Sequence, residues 1–394
     1  MNRGSYNPSV ALVHIDQPAG GRFETPNPSL VGWFAGEAGA EGVVLRGRHG
    51  EIPFRQLRRP DVEAVYPGQA VFGFSCYLPA AELSHVEPQL RFERDGNVLA
   101  DLGLSVTPET VSLVEDLREA RAAKRQWCLD HARCPTCRHP RLKVSDGRIE
   151  CLRCSTGYGQ HGEAINFLSP ELYRASALEE TPDVSMNSYD YTSWQIVHRA
   201  EETGGKVLDC GAGLRTLPLE AVVNLEIIDV ASTDVLGVGQ SLPFRDGVFD
   251  GVLSLAVLEH VSDPFACARE MVRVLKPGGQ IYCHVPFLQP EHGYPNHFYN
   301  MTRAGLANLF PDLVALEHVV PESGLPIFAL HWMVSRYADY LGAEARERFL
   351  SMTMGELVGR PPDEWCGDEI VTALGEEGKW KLACTTALLV KKPS

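Results

Sequence analysis

No stretch of about 18 apolar residues occurs in this chain of 394 residues, which excludes a membrane-spanning helix. Residues Met1 to Asp16 lack a basic segment followed by an apolar one, so no secretory signal is expected. Basic residues are in deficit, with 36 Lys and Arg against 51 Asp and Glu and a net charge of -15. A surface of that sign repels phosphate backbones and disfavours bare DNA or RNA as a partner. Arg118, Arg121, Lys124 and Arg125 lie close together, but they read as a solvated helix face rather than a nucleic-acid site. Paired cysteines of the secreted kind are missing too. The chain has 11 cysteines, an odd number, and Cys76, Cys210, Cys267 and Cys283 sit in apolar runs as small core residues. That usage speaks for a reducing cytoplasm and against a disulfide scaffold. Internal repeats and low-complexity tracts are also lacking. What is present is an ordinary globular balance, 44% hydrophobic and 22% charged, on a length that suggests two to three domains.

Residues 1–106 are expected to form an all-β accessory domain, a small sandwich. Short apolar runs recur at Leu30 to Phe34, Gly42 to Leu45, Ile52 to Leu57, Ala70 to Leu78 and Leu90 to Glu93. Asp95-Gly96 between Leu90–Arg94 and Asn97–Leu102 predicts a hairpin, because Gly tolerates positive φ. A connecting helix is predicted over 107–131. Thr107 can cap it, Pro108 suits its first position, and Val111, Val114, Leu117 and Ala120 repeat at helical spacing.

Residues 132–170 carry Cys134-Pro135-Thr136-Cys137 and then Cys151-Leu152-Arg153-Cys154. Each pair closes a knuckle that aims two thiolates at one centre. A hairpin through Leu142 to Ser145, Asp146-Gly147 and Arg148 to Glu150 can bring the knuckles together. The product is a tetrahedral sulfur site for a structural Zn2+, since four protein ligands leave no open position. Cys128 lies outside the knuckles and is not expected to be a ligand. The stretch through Tyr158 and Gly162 to Ile165-Asn166-Phe167-Leu168 resembles zinc ribbons related to the activator subunit of tRNA and protein methyltransferases. That resemblance implies a scaffold or substrate-contact module.

From Gly205 strands and helices alternate, which predicts a mostly parallel sheet in an α/β domain over 186–394. Strands are expected at Lys206 to Cys210, Val222 to Ile228, Asp250 to Leu255, Gln280 to Val285 and Lys381 to Val390. An amphipathic helix is expected at Pro264 to Leu275, and a helical insertion at Ile327 to Leu357. Val207-Leu208-Asp209-Cys210-Gly211-Ala212-Gly213 is a strand running into a glycine turn, the place where open α/β sheets bind ligands. Downstream come Gln240-Ser241-Leu242-Pro243-Phe244, Phe249 to Ser254, Leu255-Ala256-Val257-Leu258-Glu259-His260-Val261 and Arg273-Val274-Leu275-Lys276-Pro277-Gly278-Gly279. In this order and spacing they closely resemble class I S-adenosylmethionine-dependent methyltransferases, over roughly Met186 to Phe310.

The resemblance implies a Rossmann-like fold and S-adenosyl-L-methionine as cofactor. Asp209, Gly211 and Gly213 would surround the methionine moiety. An acid ending the second strand would hold the ribose hydroxyls, with Asp229 preferred and Glu226 the alternative. Ser241 and Leu242 would flank the adenine, and Leu255 and Ala256 would line the sulfonium side. His260 would lie near the pocket rim. Two positions depart from the pattern. Arg215 stands where a third glycine is usual, and Val238 where an acid commonly precedes the Leu-Pro-Phe segment. The interval from Gly213 to Asp229 is short, so the first helix must be reduced. Glu259 reads as a cap or brace of a helix, and Pro277-Gly278-Gly279 as the turn before the fifth strand.

An oxygen acceptor benefits from a base near neutral pKa, which favours histidine. His292 and His297 follow the fifth strand and, with His260, are the candidate bases or substrate contacts. His292-Gly293-Tyr294-Pro295 is a segment familiar among related methyltransferase domains. Trp332, Met333, Tyr337 and Tyr340 could wall a pocket, but their helical spacing favours core packing. Arg59-Pro60-Asp61-Val62, Gly73-Phe74 and Tyr77-Leu78-Pro79 resemble small β domains attached to bacterial sugar- and polysaccharide-modifying enzymes. Together these imply O-methylation of a hydroxyl on a sugar, glycoconjugate or small metabolite. The competing expectations are an RNA-base methyltransferase and a non-catalytic binding or assembly protein of the same fold.

Overall fold

The computed structural model describes residues 12–36, 41–145, 147–159, 163–169, 184–293 and 296–385. The chain divides into two compact units. One holds residues up to Val257 together with Asp263–Cys283, the other Leu258–Ser262 together with His284 onward.

The first unit begins with the β-sandwich. One sheet runs in the order Leu12–Gln17, Ser29–Gly36, Ala70–Tyr77, Arg55–Leu57, and the other in the order Gly50–Ile52, Val44–Gly47, Gln89–Arg94, Asn97–Gly103. Every recorded pairing within them is antiparallel. The run expected at Ile52 to Leu57 is divided between the two sheets, and Leu12–Gln17 adds a strand that apolar runs alone did not mark. Alternating residues turn inward, so Phe34, Phe72, Phe74 and Phe92 bury their rings in one core. Each such ring contributes roughly 1.5–3 kcal/mol. Asp95 (φ 51) and Gly96 (φ 78) make the tight hairpin turn that joins Arg94 to Asn97.

The connecting helix spans Pro108–Asp130, and the Thr107 hydroxyl accepts from the Thr110 amide at its start. Its basic cluster is not a solvated face. Arg121 and Lys124 are only 5% and 4% exposed. Arg121 donates to the carbonyls of Val230 and Ala231, and Lys124 to the carbonyl of Val222 and the carboxylate of Asp234. The helix is therefore fastened to the α/β sheet by buried cations that donate to its backbone and to Asp234.

The zinc-knuckle segment forms a small antiparallel sheet of Leu142–Ser145, Arg148–Cys151 and Gly157–Tyr158. Asp146 and Gly162 lie outside the described residues. The chain then enters the main sheet. Its order is Ile165–Asn166, Val235–Leu236, Val222–Glu226, Val207–Cys210, Phe249–Leu255, Leu275–His284. The pairings among the first five of these strands are parallel. Val207, Leu208, Val222, Val223, Val252 and Leu253 are buried, as the inner strands of a sheet covered on both faces must be. The amphipathic helix Pro264–Val274 starts under an Asp263 cap and turns Cys267, Ala268 and Met271 inward. The last strand begins at Leu275, so Pro277-Gly278-Gly279 lies within it and not before it. The second strand ends at Glu226, two residues short of Ile228.

The second unit contains the helices Pro326–Asp339, Ala343–Ser351 and Met354–Gly359. Tyr337 and Tyr340 pack in its core with Leu341, Phe349, Ile370 and Leu374. Tyr337 stacks on Phe349 and donates its hydroxyl to the Ile370 carbonyl. Lys381 and Leu382 close a helix over Glu376–Leu382 instead of opening a strand, and residues 386–394 lie outside the described residues. Among the described residues no helix is long and apolar enough to cross a membrane.

Candidate functional site

The turn after Val207–Cys210 follows from two glycines in the left-handed region, Gly211 at φ 78 and Gly213 at φ 64. Neither tolerates a side chain. A Cβ on Gly211 would lie 2.6 Å from Val257, and one on Gly213 would lie 2.4 Å from the Ser185 carbonyl oxygen. Residues 211–221 form neither helix nor strand, so the first helix is absent rather than merely reduced. In its place, residues 184–190 return across the turn, and the Leu214 amide donates to the Ser185 carbonyl. Ala256, at the end of the neighbouring strand, also has positive φ (57°), which a non-glycine residue adopts only at some cost.

Asp209 is fully buried at this turn. Its Oδ2 accepts from the Tyr189 hydroxyl at 2.6 Å and from Arg215 Nε at 2.8 Å. Its Oδ1 is buried and has no partner. Arg215 also donates to the Asn187 carbonyl and lies over the Tyr189 ring, its guanidinium carbon 4.4 Å from the centroid. The arginine that replaces a third glycine therefore covers one edge of the Asp209 carboxylate and leaves the other.

Glu226, and not Asp229, ends the second strand beside the turn. Its Oε1 accepts from the Gly213 amide and its Oε2 from the Ile227 amide, each at 2.7 Å. Burial pushes its carboxyl above the usual range against those amide hydrogen bonds. Asp229 lies three residues on and forms an ion pair with Arg121 of the connecting helix at 3.5 Å. Ser241 and Leu242 are likewise engaged within the protein. The Ser241 hydroxyl donates to the Pro135 carbonyl of the first knuckle, and the Leu242 amide donates to Glu270. Leu242 is fully buried, and Leu255 is buried beside the strand end. Val238 is buried as well, so no carboxylate stands before Leu242-Pro243-Phe244.

The four knuckle cysteines converge. Cys134 and Cys154 sulfurs are 3.7 Å apart, and Cys137 and Cys151 sulfurs 3.5 Å apart. All four lie within 4.8 Å of one another. Zinc–sulfur bonds of about 2.3 Å arranged tetrahedrally set sulfurs about 3.75 Å apart, so the donor set fits zinc. The Thr156 hydroxyl lies 3.1 Å from Cys154 Sγ, and this hydrogen bond lowers the thiol pKa to about 6. Cys128 is buried away from this group.

In the second unit the three histidines come together. Ring centroids of His260 and His292 are 5.4 Å apart, those of His260 and His297 5.6 Å, and those of His292 and His297 4.4 Å. His260 Nδ1–H donates to the Asn296 carbonyl, and His292 Nδ1–H to the Pro290 carbonyl. His297 uses both nitrogens: Nδ1 accepts from the His292 amide, and Nε2–H donates to Asn300. Burial lowers the pKa of His260 and of His297, which favours the neutral rings. Glu259 does not act as a cap. Its side chain is fully buried and neither carboxylate oxygen has a hydrogen-bond partner. Burial pushes it up to about 8. Sequence reasoning missed this residue as a functional candidate, although an acid set in the apolar run Leu258-Glu259-His260-Val261 was the available signal. Tyr294 and Pro295 lie outside the described residues.

Residues 210–283 match the family model described as a methyltransferase domain. The chain carries a class I, S-adenosylmethionine-dependent methyltransferase domain. The chain is 47% identical over 57 residues to an uncharacterized methyltransferase of Mycobacterium sp. (strain JLS), covering 14% of this chain and 23% of the relative. It is 29% identical over 150 residues to a ubiquinone biosynthesis O-methyltransferase of Xanthomonas axonopodis pv. citri (strain 306), covering 31% of this chain and 63% of the relative. Among solved structures it is similar to a methyltransferase of Thermotoga maritima described as a possible histamine N-methyltransferase, with 26% identity, 25% of this chain and 57% of the other covered, and a TM-score of 0.19. The matches span less than two thirds of each of these relatives.

Proposed function

We propose that this chain is an S-adenosylmethionine-dependent methyltransferase acting on a hydroxyl of a sugar, a glycoconjugate or another small hydroxylated metabolite. The observation that carries the reading is Asp209 Oδ1, a buried acceptor without a partner at the glycine turn of the matched segment. A buried acceptor left so costs roughly 1–3 kcal/mol, and a cationic amine is the donor that relieves it. When bound, S-adenosylmethionine supplies a methyl group already activated on a sulfonium. Asp209, Gly211 and Gly213 are the residues that would hold its methionine end. Glu226 is the better acid for the ribose hydroxyls, because each carboxylate oxygen keeps a second lone pair after accepting one amide. Asp229 is drawn toward Arg121 instead. Ser241 and Leu242 have their polar groups engaged and would offer the adenine only surface, as Leu255 and Ala256 would the sulfonium side. Methyl transfer needs alignment above all, and buried, hydrogen-bonded residues give it.

The acceptor assignment is supported by the O-methyltransferase name of the Xanthomonas relative. An RNA acceptor is disfavoured by charge. The groove that holds Arg118, Arg121 and Arg125 is lined equally by Glu115, Glu119 and Glu163, and Arg118 is paired with Glu163. One observation favours a non-catalytic reading, namely Arg215 lying on the carboxylate that the cofactor would use.

Calorimetric titration with S-adenosylmethionine and S-adenosylhomocysteine separates the two. Micromolar binding by the wild type, lost in Asp209→Asn while circular dichroism is unchanged, supports the methyltransferase. A folded, zinc-loaded wild type that binds neither compound refutes it in favour of an assembly role.

A further inference from the structure

We propose that Glu259, His260 and His292 form a second metal site, distinct from the cysteine ribbon, that holds a divalent transition-metal ion through one carboxylate and two imidazoles. The argument is independent of the methyltransferase reading. The three residues each offer a ligand atom, and those atoms lie within 4.8 Å of one another. His260 Nε2 is 3.9 Å from Glu259 Oε1. Metal–nitrogen and metal–oxygen bonds of about 2.1 Å span tetrahedral edges of about 3.4 Å, so a small side-chain rotation closes the set.

The arrangement around these atoms is the one a metal requires. Both histidines direct Nδ1–H to a backbone carbonyl, at 2.8 Å for His260 and 2.9 Å for His292. That fixes the tautomer and leaves each Nε2 with its lone pair free, as the outer hydrogen bonds of metal-bound imidazoles do. The third histidine is differently wired. His297 spends both nitrogens on the His292 amide and on Asn300, so it braces the site and is not a ligand. Gly293 is part of the same construction. It has φ 76, and a Cβ there would lie 2.3 Å from His260 Cε1, so only glycine lets the ring sit where it does.

Glu259 is the independent pointer to a cation. Its side chain is wholly buried, and both oxygens lack any hydrogen-bond donor. A buried carboxylate in that condition needs a counter-charge or a proton. Two imidazole nitrogens with free lone pairs supply neither; a metal ion supplies the charge and satisfies all three groups at once. Two imidazoles and one carboxylate select zinc or ferrous iron over magnesium or calcium, which prefer all-oxygen shells. Three protein ligands leave positions open for water or an acceptor oxygen, in contrast to the closed cysteine site.

The test is metal content of the full-length protein, read by mass spectrometry after loading with zinc and extensive buffer exchange. The wild type should hold about two ions per chain, Glu259→Gln and His292→Ala about one each, and Cys137→Ser about one. Cobalt loading distinguishes the sites. Intense sulfur-to-cobalt absorption should survive in Glu259→Gln and His292→Ala, whereas the weaker bands of a nitrogen–oxygen site should be lost. Glu259→Gln is nearly isosteric, and His292 is only half buried, so both should fold, with circular dichroism as the check. A wild type that holds one ion, unchanged by Glu259→Gln and His292→Ala, overturns the proposal and leaves Glu259 a buried, protonated acid.

Discussion

Substituting Lys124 by Met tests whether the connecting helix is a structural part of the α/β unit or a strut beside it. Lys124 Nζ lies 2.7 Å from Asp234 Oδ2 and 2.7 Å from the Val222 carbonyl oxygen. The two side chains are 4% and 2% exposed. Asp234 Oδ2 also accepts from the Asn224 amide, so the lysine is anchored to the strand Val222–Glu226 both directly and through Asp234. Burial raises the Asp234 carboxyl pKa, and Lys124 opposes that shift. Methionine keeps the length and the apolar stem but leaves a buried carboxylate without its cation. Removing one partner of a buried pair costs about 3–5 kcal/mol, a large part of a typical domain's stability of about 5–15 kcal/mol. Asp234→Asn alone should cost a similar amount, because it strands the ammonium. The double variant removes both charges and should cost clearly less than the sum, with a coupling of about 2 kcal/mol or more. Urea unfolding, followed by fluorescence of Trp127, which packs 5.4 Å from the Phe249 ring, gives all four values. A Lys124→Met variant within about 1 kcal/mol of wild type, or strictly additive costs, would refute the reasoning.

Two further outcomes follow from the same unit. Cys137→Ser should lose the ribbon zinc and lower the melting temperature, since structural zinc contributes folding energy directly. Hydrogen exchange should then quicken in 132–158 and also in 239–242, because the Ser241 hydroxyl is held by the Pro135 carbonyl; unchanged exchange in 239–242 would show that this link carries no weight. Glu270 gives a pH dependence. Burial raises its carboxyl, but hydrogen bonds from Arg273 and the charge of Arg133 outweigh burial and hold it below its ordinary 4.5. A depressed carboxyl contributes stability above its unfolded pKa and loses it as pH falls through the folded value. Unfolding followed between about pH 5 and pH 2 should therefore show an acid-sensitive component that Glu270→Gln reduces, and an unchanged acid profile would count against the pairing.

Much of the layout was legible because it rests on local rules. Asp95-Gly96 marked its hairpin since few pairs accept two successive positive φ angles. The cysteine knuckles, the Thr107 cap and the period of Pro264–Val274 were equally readable. The departures all come from contacts distant in the chain. Arg121 and Lys124 looked like surface charges because their partners stand about a hundred residues away, at Val222, Val230 and Asp234. Ile165–Asn166 is too short to show a period, and only its pairing with Val235–Leu236 makes it an edge strand. At the turn, Glu226 and Asp229 were both plausible ribose acids in sequence. The strand stops at Glu226 and not at Asp229, which depends on how Val222–Glu226 pairs with its neighbours.

These distant contacts share a pattern that bears on why the ribbon precedes this domain at all. Ala132 forms a backbone bridge with Phe244, and the Arg133 amide donates to the Pro243 carbonyl. The Arg133 side chain reaches Glu270, whose other contacts are Arg273 and the Leu242 amide. The segment Ser241 to Phe244 is thus held on one side by the helix Pro264–Val274 and on the other by the first knuckle. Val238, which precedes this segment, is buried and offers it no polar side chain. The cysteine segment braces this loop through backbone hydrogen bonds from Arg133 and to Pro135. A metal held by Cys134, Cys137, Cys151 and Cys154 would therefore be coupled to the shape of the Ser241 to Phe244 segment through the Pro135 carbonyl and the Arg133 amide.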